Sequence, residues 1–261
     1  MKRIYMLFLV LLLVSCQSVH AQNTSKEESK ALADLNKQLP WAARTGDVEK
    51  VKELIASGAD VDSLVTGEHT PLMFAVYYGH YEVAKILIDA GADVNAAHSI
   101  DHTVLYHALE SNQLSTEVIQ LLVDEGVNMN PSPLFWAIRY AGAKSETPEI
   151  MTMLIEAGAD VNAQSETGIT ALIAAALRGS NQLVDILLRS GAEINATQES
   201  TGRTVLACAV EWEHTETVRL LIEAGADLEI ADKQGNTPLM TAKSKGSEEI
   251  IELLIEAGAV K

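Results

Sequence analysis

The sequence contains few cysteines, few aromatic residues and few basic residues, and each shortage narrows the class of protein that it can encode. Its 261 residues include two cysteines and 5% aromatic residues, against 48% hydrophobic residues in total. A disulfide-rich scaffold is therefore excluded, and a core must be built mainly from alanine, leucine, isoleucine and valine. Lysine and arginine number 19 against 36 for aspartate and glutamate, a formal charge of −17. A surface this acidic repels phosphate backbones, so we expect no nucleic-acid partner.

Motifs that carry catalytic chemistry are also missing. The sequence has no His-Glu-x-x-His zinc motif, no Cys-x-x-Cys pair, no Gly-x-Ser-x-Gly nucleophile turn and no glycine-rich phosphate loop. We therefore expect a protein without enzymatic activity and without a cofactor.

The amino terminus is typical of an export signal. Lys2 and Arg3 are followed by an apolar run over residues 4–14, which is too short to span a bilayer comfortably. Two cleavage sites remain open. Cys16 ends a Leu-Val-Ser-Cys sequence that resembles a bacterial lipobox, in which this cysteine would be acylated, whereas Val19 and Ala21 suit an ordinary signal peptidase. Either site predicts a protein of the bacterial envelope, periplasmic or lipid-anchored, whose membrane contact is limited to that anchor.

Residues 1–21 are thus predicted to be a signal peptide, and the polar residues 22–37 are predicted to be a tether that runs into a helix. Because Cys16 is either acylated or removed, Cys208 has no intrachain partner in the mature protein. We expect Cys208 to be a small buried hydrophobic side chain.

The remainder, residues 38–261, is repetitive. Thr70-Pro71-Leu72 supplies a threonine N-cap, a proline in the first turn and a core leucine for one short helix, and Gly91 closes the second helix of the same unit. The same signals recur in the same order along the chain. The closing glycine, followed by alanine or valine, returns at intervals of 32–35 residues, at Gly58, Gly91, Gly126, Gly158, Gly191, Gly225 and Gly258. This period predicts about seven stacked helix pairs.

These motifs resemble the ankyrin-repeat consensus. The resemblance rests on Thr70-Pro71-Leu72, on Gly79-His80 and on Gly-Ala-Asp-Val-Asn-Ala at residues 91–96, and it recurs through the later repeats. It implies an all-α solenoid of helix–turn–helix pairs with projecting β-hairpin fingers. It also implies a monomeric, non-enzymatic module that binds a protein or peptide in its concave groove. The alternative is an envelope protein that binds a small ligand or a metal.

Two departures from this consensus are visible. The histidine that usually follows Thr-Pro-Leu is replaced in every repeat, for example by Met73 and Tyr106, so its hydrogen bond to the finger must be missing or replaced. The fourth repeat has five extra residues between its helices, around residues 141–148, and a shortened finger. This insertion is interpreted either as neutral drift of a loop or as a notch that admits a partner to the groove.

Alignment of the repeats collects aromatic residues and arginines on one predicted face. In ankyrin repeats, the positions two, five and six residues after the core leucine face the groove, and the residue before the finger threonine extends that surface. The predicted partner-binding residues are Trp41, Phe74, Tyr77, Tyr78, Trp136, Arg139, Tyr140, Arg178, Arg203 and Trp212. Tryptophan, tyrosine and arginine dominate the binding energy of protein interfaces. Glutamates instead occupy the second helices, which predicts an acidic back.

The same residues have a structural interpretation that remains open. Trp41, Phe74 and Trp136 could pack beneath the fingers as inter-repeat core. Tyr77, Tyr78, Tyr140 and Trp212, at the ends of first helices, are instead expected to be exposed.

One cluster of metal-ligand residue types stands out. His98, Asp101, His102 and His107 lie within ten residues of one another, and together they could bind zinc. The repeat phase places His98 and His102 on a finger and His107 inside the next helix, so the three imidazoles are not expected to converge. We therefore predict no metal site.

Overall fold

The computed structural model describes residues 28–64, 69–98, 102–129, 132–141 and 147–260. Over these residues the chain forms helices and no sheet, which confirms the predicted all-α repeat fold. The predicted signal peptide with Cys16, and residues 22–27 of the predicted tether, lie outside the described residues. Among the described helices, none combines the length and the apolar composition that a membrane-crossing segment needs.

The helices are labelled in chain order and alternate between the first and second helix of each repeat. They are α1 (28–45), α2 (Val48–Ala56), α3 (Pro71–Tyr77), α4 (Tyr81–Asp89), α5 (Val104–Glu110), α6 (Thr116–Asp124), α7 (Pro133–Trp136), α8 (Thr147–Glu156), α9 (Ala171–Leu177), α10 (Asn181–Arg189), α11 (Val205–Glu211), α12 (Thr215–Glu223), α13 (Pro238–Lys245) and α14 (Glu248–Glu256). A π-helical turn, Ala137–Ala141, follows α7 directly.

The chain divides into two units by its internal contacts. Unit 1 comprises the described residues up to Ala75 together with Glu82–Asp93, and unit 2 comprises Val76–Tyr81 and the described residues from Val94 onward. Unit 1 holds α1, α2, most of α3 and α4. Unit 2 holds the helices from α5 to α14.

Threonine N-caps begin the first helices, as the sequence predicts. The Oγ1 atoms of Thr103, Thr170 and Thr204 accept hydrogen bonds from backbone N–H groups three residues later, at 3.1–3.3 Å. Such a bond satisfies one of the N–H groups that a helix start leaves without a partner. At Thr70, where the consensus histidine is missing, the backbone N–H lies 3.5 Å from the Met73 sulfur. A weak sulfur acceptor therefore replaces the imidazole in the second repeat.

The second helices end in the same way in different repeats. The N–H of Gly91 donates to the carbonyl of Ile88, and the N–H of Gly191 donates to the carbonyl of Leu188. Both glycines adopt positive φ, +95° and +89°, which continues the chain into the finger. The predicted equivalence of the α4 and α10 ends is therefore observed.

Aliphatic side chains fill the interior, as the low aromatic content predicts. The largest fully buried side chains are those of leucine, isoleucine and methionine, and each first helix also buries small residues, such as the six consecutive buried positions of α9. Alanine at these positions lets neighbouring first helices approach closely. Cys208 is 1% exposed, and burial raises the pKa of its thiol to about 11, so it is a buried hydrophobic residue and not a reactive thiol.

The fingers are short. Isolated antiparallel bridges join Ala97 to Thr103, Gln164 to Thr170 and Thr197 to Thr204. Each bridge closes a hairpin directly before a first helix, so the backbone of the finger is anchored at the N-cap threonine.

A side-chain oxygen from one repeat binds a backbone N–H in the next repeat. In unit 2 the Oδ1 atoms of Asn95, Asn162 and Asn195 accept hydrogen bonds from residues 128, 193 and 227 at 2.6–2.9 Å. In unit 1 the acceptor that serves Asp93 is the carboxylate of Asp62. We call this series the inter-repeat ladder, and it fixes the register between consecutive repeats at the base of the fingers.

Asp62 is a member of the ladder whose negative charge is electrostatically unfavourable. The pKa of its carboxyl is raised, because burial disfavours the charged form and the carboxylates of Asp93 and Asp60 repel it. The raised pKa means that the ionised form costs stability at neutral pH.

Asp62→Asn is expected to stabilise the protein at pH 7 by about 0.5 kcal/mol, a value reduced for screening by solvent. The amide keeps the accepting oxygen, as Asn95 shows, and it removes the repulsion from Asp93 and Asp60. Because the folded pKa is raised, the cost of Asp62 exists above that pKa and disappears below the ordinary value of 3.8, where the carboxyl is neutral in both states. Urea denaturation at pH 7 and pH 3 checks this, and an equal gain at both pH values would contradict it.

Two regions differ from the sequence-based boundaries. Residues 28–37, predicted to belong to a tether that runs into a helix, form the first part of α1, and the side chain of Asn36 accepts a hydrogen bond from the N–H of Asp60 at 2.8 Å. In the fourth repeat, α7 has four residues before the π-helical turn, which ends at Ala141, and α8 starts at Thr147. The extra residues thus fall between the two helices, as predicted, and the sequence analysis did not foresee the π-helical turn.

Candidate partner-binding surface

In unit 1, Trp41 and Phe74 lie face to face. Their ring centroids are 6.4 Å apart, and the Cζ atom of Arg44 lies 5.1 Å from the centroid of Trp41. His69 stacks on Phe74 at 5.4 Å. Trp41 is 50% exposed, whereas Phe74 is half-buried. Trp41 is therefore a surface residue, and the core interpretation fits Phe74 better than it fits Trp41.

Tyr77 and Tyr78 are the first predicted contact residues of unit 2. Their rings meet edge to face at 5.1 Å, and both side chains are half-buried rather than freely exposed as the sequence predicts, because the two rings pack on each other. The Oγ of Ser111, in the next repeat, donates a hydrogen bond to the carbonyl of Tyr77. This bond holds the end of α3 against the following repeat and fixes the backbone that carries the two rings.

Four rings form an aromatic cluster, which we define as Tyr106, Phe135, Trp136 and Tyr140. The ring of Trp136 stacks on Tyr140 at 5.5 Å and meets Tyr106 edge to face at 5.2 Å. Phe135 lies edge-on to Trp136 at 5.0 Å. Stacked and edge-to-face pairs of this kind add to the stability that burial alone provides. Trp136 and Tyr140 are half-buried, so the cluster combines packing with an accessible face.

The π-helical turn positions Tyr140 in this cluster. It follows α7 without a break and carries Arg139 and Tyr140. The hydroxyl of Tyr140 lies 2.8 Å from the hydroxyl of Tyr106, which is 7% exposed. The pKa of Tyr106 is raised, chiefly by burial and then by this hydrogen bond. Tyr140 is therefore not the freely exposed side chain that the sequence predicts, because it also supports a buried phenol.

Sequence reasoning missed Tyr106 as a member of the aromatic cluster. Tyr106 occupies the position of the consensus histidine, and we interpreted it only as a replacement for that residue. The available signal was the co-occurrence of aromatic residues at Tyr106, Trp136 and Tyr140 in two adjacent repeats. Neighbouring repeats place such positions side by side.

Arg139 and Arg178 form an arginine pair beside the cluster. The Cζ atom of Arg139 lies 5.8 Å from the ring centroid of Trp136 and 5.9 Å from that of Tyr140. Arg178 donates from Nη2 to the carbonyl oxygen of Arg139 at 2.8 Å. Both side chains are exposed, and within the described ranges neither forms an ion pair with a carboxylate.

Arg203 is placed differently from this pair. It lies 3.6 Å from Glu211 and 3.7 Å from Asp232, and Lys245 lies 3.0 Å from Glu211. The pKa of Asp232 is lowered, chiefly by hydrogen bonds from the backbone N–H of Asn236 and with a smaller contribution from Arg203. Arg203 therefore links the sixth and seventh repeats. Because its guanidinium already contacts two carboxylates, it has fewer N–H donors available to a partner than Arg139 has.

The side chain of Trp212 is 61% exposed, more than that of Trp41. It caps α11, and its side chain makes no ring contact and no hydrogen bond within the part of the chain that the structure describes. The next residue, Glu213, has a positive φ of 56°, a conformation that side-chain-bearing residues seldom adopt. Its carboxylate accepts a hydrogen bond from the hydroxyl of Ser247.

Glutamates occupy the second helices, as predicted, and the first helices α5 and α11 end with Glu110 and Glu211. The glutamates in the first turns of the second helices are exposed, and they include Glu49, Glu82, Glu117, Glu149, Glu216 and Glu248. Carboxylates near a helix N-terminus are favoured by the helix dipole. The acids thus stabilise their own helices, while the aromatic residues and the arginine pair belong to the first helices.

The histidines behave differently from the sequence-based expectation. The rings of His98 and His102 stack at 4.7 Å, and His107 lies 5.6 Å from His98. His107 is buried in α5, and its Nδ1 atom lies 3.7 Å from Oε2 of Glu110. Asp101 lies outside the described residues. The three imidazoles do approach one another, so the argument from divergence was wrong, and the absence of a metal stays a prediction.

The repeats match a known protein family. The family model described as ankyrin repeats (3 copies) matches residues 8–98, 39–133, 134–232 and 172–261. The chain belongs to the ankyrin-repeat family. Ankyrin repeats are protein–protein interaction modules and are generally non-enzymatic scaffolds.

Solved ankyrin-repeat structures resemble the chain over most of its length. The crystal structure of the human ASB11 ankyrin repeat domain is 25% identical, with a TM-score of 0.72, over 85% of this chain and 98% of that one. The ankyrin repeat domain of Bcl-3, a member of the IκB protein family, is 27% identical, with a TM-score of 0.69, over 83% and 97%. A search of the curated proteins returned no match.

Proposed function

We propose that this ankyrin-repeat chain is an exported, non-enzymatic binding protein that holds a protein or peptide in the concave groove at the ends of its first helices. The observation that carries the proposal is Trp212, a large apolar side chain that is 61% exposed, at a repeat position that faces the groove in ankyrin repeats. Tryptophan is enriched among the residues that dominate the binding energy of protein interfaces.

The chemistry of the rest of the surface supports the same assignment. Trp41, the aromatic cluster and the arginine pair occupy equivalent or neighbouring positions in the repeats, and all are residue types enriched at hot spots. The exposed glutamates of the second helices keep the remaining surface charged and soluble. A partner is therefore expected to contact the first helices and the fingers.

The proposal is tested by capture from envelope extract with matched variants. Tagged wild-type protein, Trp212→Ala and Glu156→Ala are used as baits, and bound proteins are identified by mass spectrometry. Glu156 is exposed at the end of α8 and serves as the control on the acidic side. A partner of the groove is retained by Glu156→Ala and depleted by Trp212→Ala. Equal capture by all three baits would contradict groove binding.

We also propose that the protein is exported to the bacterial envelope and anchored by lipid at Cys16, with cleavage after Ala21 as the competing route. The support is the sequence of residues 1–21, with its basic start, apolar run and Leu-Val-Ser-Cys ending. Cells that express the wild type or Cys16→Ser are labelled with a radioactive fatty acid. Label is expected in the wild type and absent from Cys16→Ser. Label retained in the variant would refute acylation at this residue.

A further inference from the structure

We infer that the surface around the aromatic cluster recognises an acidic peptide segment. Carboxylates of that segment bind Arg139 and Arg178, and an aromatic or aliphatic side chain covers the rings of Trp136 and Tyr140. This inference rests on the proposed function and adds to it the chemical class of the partner.

The arginine pair has unused hydrogen-bonding capacity. A guanidinium group carries five N–H donors. Arg178 uses one of its N–H groups on the carbonyl of Arg139, and Arg139 donates no side-chain hydrogen bond to any described residue. Three other arginines of unit 2 lie within 4 Å of a carboxylate, namely Arg189, Arg203 and Arg219. In a chain of charge −17, the pair at the aromatic cluster is an exception to the local neutralisation of arginine.

The two guanidinium groups are also held in position. The contact of Arg178 with the carbonyl of Arg139 joins α9 to the π-helical turn of the preceding repeat. Arg139 lies against the rings of Trp136 and Tyr140 at 5.8 and 5.9 Å. A guanidinium that stacks on a ring keeps the N–H groups along its edge available, and this edge matches a carboxylate in bidentate geometry. Preorganised donors lose less entropy on binding than mobile ones do.

The cluster adds one further polar donor. Tyr106 and Tyr140 share a hydrogen bond between their hydroxyl oxygens, in which either oxygen can be the donor. When Tyr106 donates to Tyr140, the O–H of the half-buried Tyr140 remains able to donate to a ligand. A carboxylate or a peptide carbonyl is the matching acceptor.

The charge distribution of the chain favours binding of an acidic segment at the arginine pair over other parts of the surface. The chain as a whole repels acidic partners, but charges separated by more than about 10 Å are largely screened at 0.1 M ionic strength. At this place Arg139 and Arg178 supply two positive charges, and the carboxylate of Glu110 acts on the neighbouring Tyr106. A basic segment would face like charge here, whereas the exposed glutamates of the second helices would attract it elsewhere.

The test is selection from a displayed library of random dodecapeptides on the purified protein. Selected peptides are expected to contain at least two acidic residues and one aromatic or large aliphatic residue. Synthetic versions in which Asp and Glu are replaced by Asn and Gln should bind about tenfold more weakly or worse, because hydrogen bonds to charged groups are the stronger class. The loss should shrink as the salt concentration rises.

Variants of the protein assign the effect to the arginine pair. The double variant Arg139→Gln/Arg178→Gln should bind the acidic peptide and its amide version with nearly equal affinity. Arg189→Gln is the matched control, since Arg189 is exposed on α10 and paired with Asp185 at 3.0 Å. It should retain the full preference for the acidic peptide. Circular dichroism confirms that each variant is folded.

Several results would overturn the inference. A basic or neutral consensus, no enrichment at all, or an acidic preference that survives in the double variant each contradicts it. Binding of a single-stranded DNA oligonucleotide as tight as that of the peptide would make the pair a general anion site, which also contradicts it. If the selected peptides are neutral and do not bind Trp212→Ala, the inferred acidic specificity is wrong but the proposed function stands. A consensus that is insensitive to both Trp212→Ala and the double variant removes the proposed function as well.

Discussion

Gly179→Ala is expected to lower the free energy of unfolding by about 3 kcal/mol. Gly179 joins α9 to α10 with φ +66°, and the left-handed conformation costs a residue with a Cβ atom about 1–2 kcal/mol. A Cβ atom at this position would also lie 2.6 Å from Nδ1 and 2.7 Å from Cγ of His214. Overpacking of this kind costs about 1–3 kcal/mol more.

His214 has little freedom to move away from the added methyl group. Its Nε2 atom forms a hydrogen bond with the carbonyl of Leu177 at 3.1 Å, so rotation of the ring gives up that bond. The steric conflict must then be absorbed by the backbone between two repeats.

Gly246→Ala is the matched control for this prediction. Gly246 ends α13 with φ +76°, and no atom lies within 4 Å of the position where its Cβ would be. The control should therefore lose about 1 kcal/mol, the cost of the backbone conformation alone. Urea denaturation of both variants and the wild type measures the difference. Equal losses of unfolding free energy at the two positions would show that the contact with His214 does not contribute to the destabilisation.

Trp212→Ala is expected to weaken binding of the captured partner by about 2 kcal/mol or more, roughly a thirtyfold rise in Kd. The side chain is 61% exposed and supports no other described side chain, so the free energy of unfolding should change by about 0.5 kcal/mol or less. Calorimetric titration with the purified partner, together with a melting curve for each protein, measures both quantities.

Tyr140→Ala provides the contrast to Trp212→Ala. It removes a groove side chain but also leaves the buried Tyr106 hydroxyl without its bond to Tyr140, which costs about 1–3 kcal/mol of stability. Both properties should therefore fall in this variant. Glu156→Ala, on the acidic side, should change neither. If Trp212→Ala unfolds the protein or leaves the affinity unchanged, Trp212 is not an interface anchor.

The parts of the fold that the sequence predicts are those with local causes. The threonine N-caps, the closing glycines and the small residues of the first helices act within a few residues, so each can be read without knowledge of the rest of the molecule. Repetition then adds strength, because the same local solution recurs at Gly91 and Gly191 with the same hydrogen-bond pattern. The helix pairs, their order and the alternation of acidic and aromatic positions follow from these signals.

The parts that could not be predicted depend on contacts between side chains of different repeats. The bond between Tyr106 and Tyr140, the ion pairs of Arg203 and the stacking of His98 on His102 join side chains whose orientations the consensus leaves open. The π-helical turn has a similar origin, because an irregular helix depends on its packing partners as well as on its own residues. The point at which the polar segment becomes helical could not be located, since polar composition alone does not distinguish a tether from a solvent-exposed helix.

The contacts between the last two repeats bear on how this gene can change in length. Arrays of repeats grow and shrink by whole units, which is harmless when each unit needs only a generic neighbour. Here Glu213 holds a strained backbone conformation and binds Ser247, while Arg203 and Glu211 reach Asp232 and Lys245. A deletion of the seventh repeat would leave these charges and this strain without compensation. The sixth repeat therefore depends on the seventh for the partners of Arg203, Glu211 and Glu213.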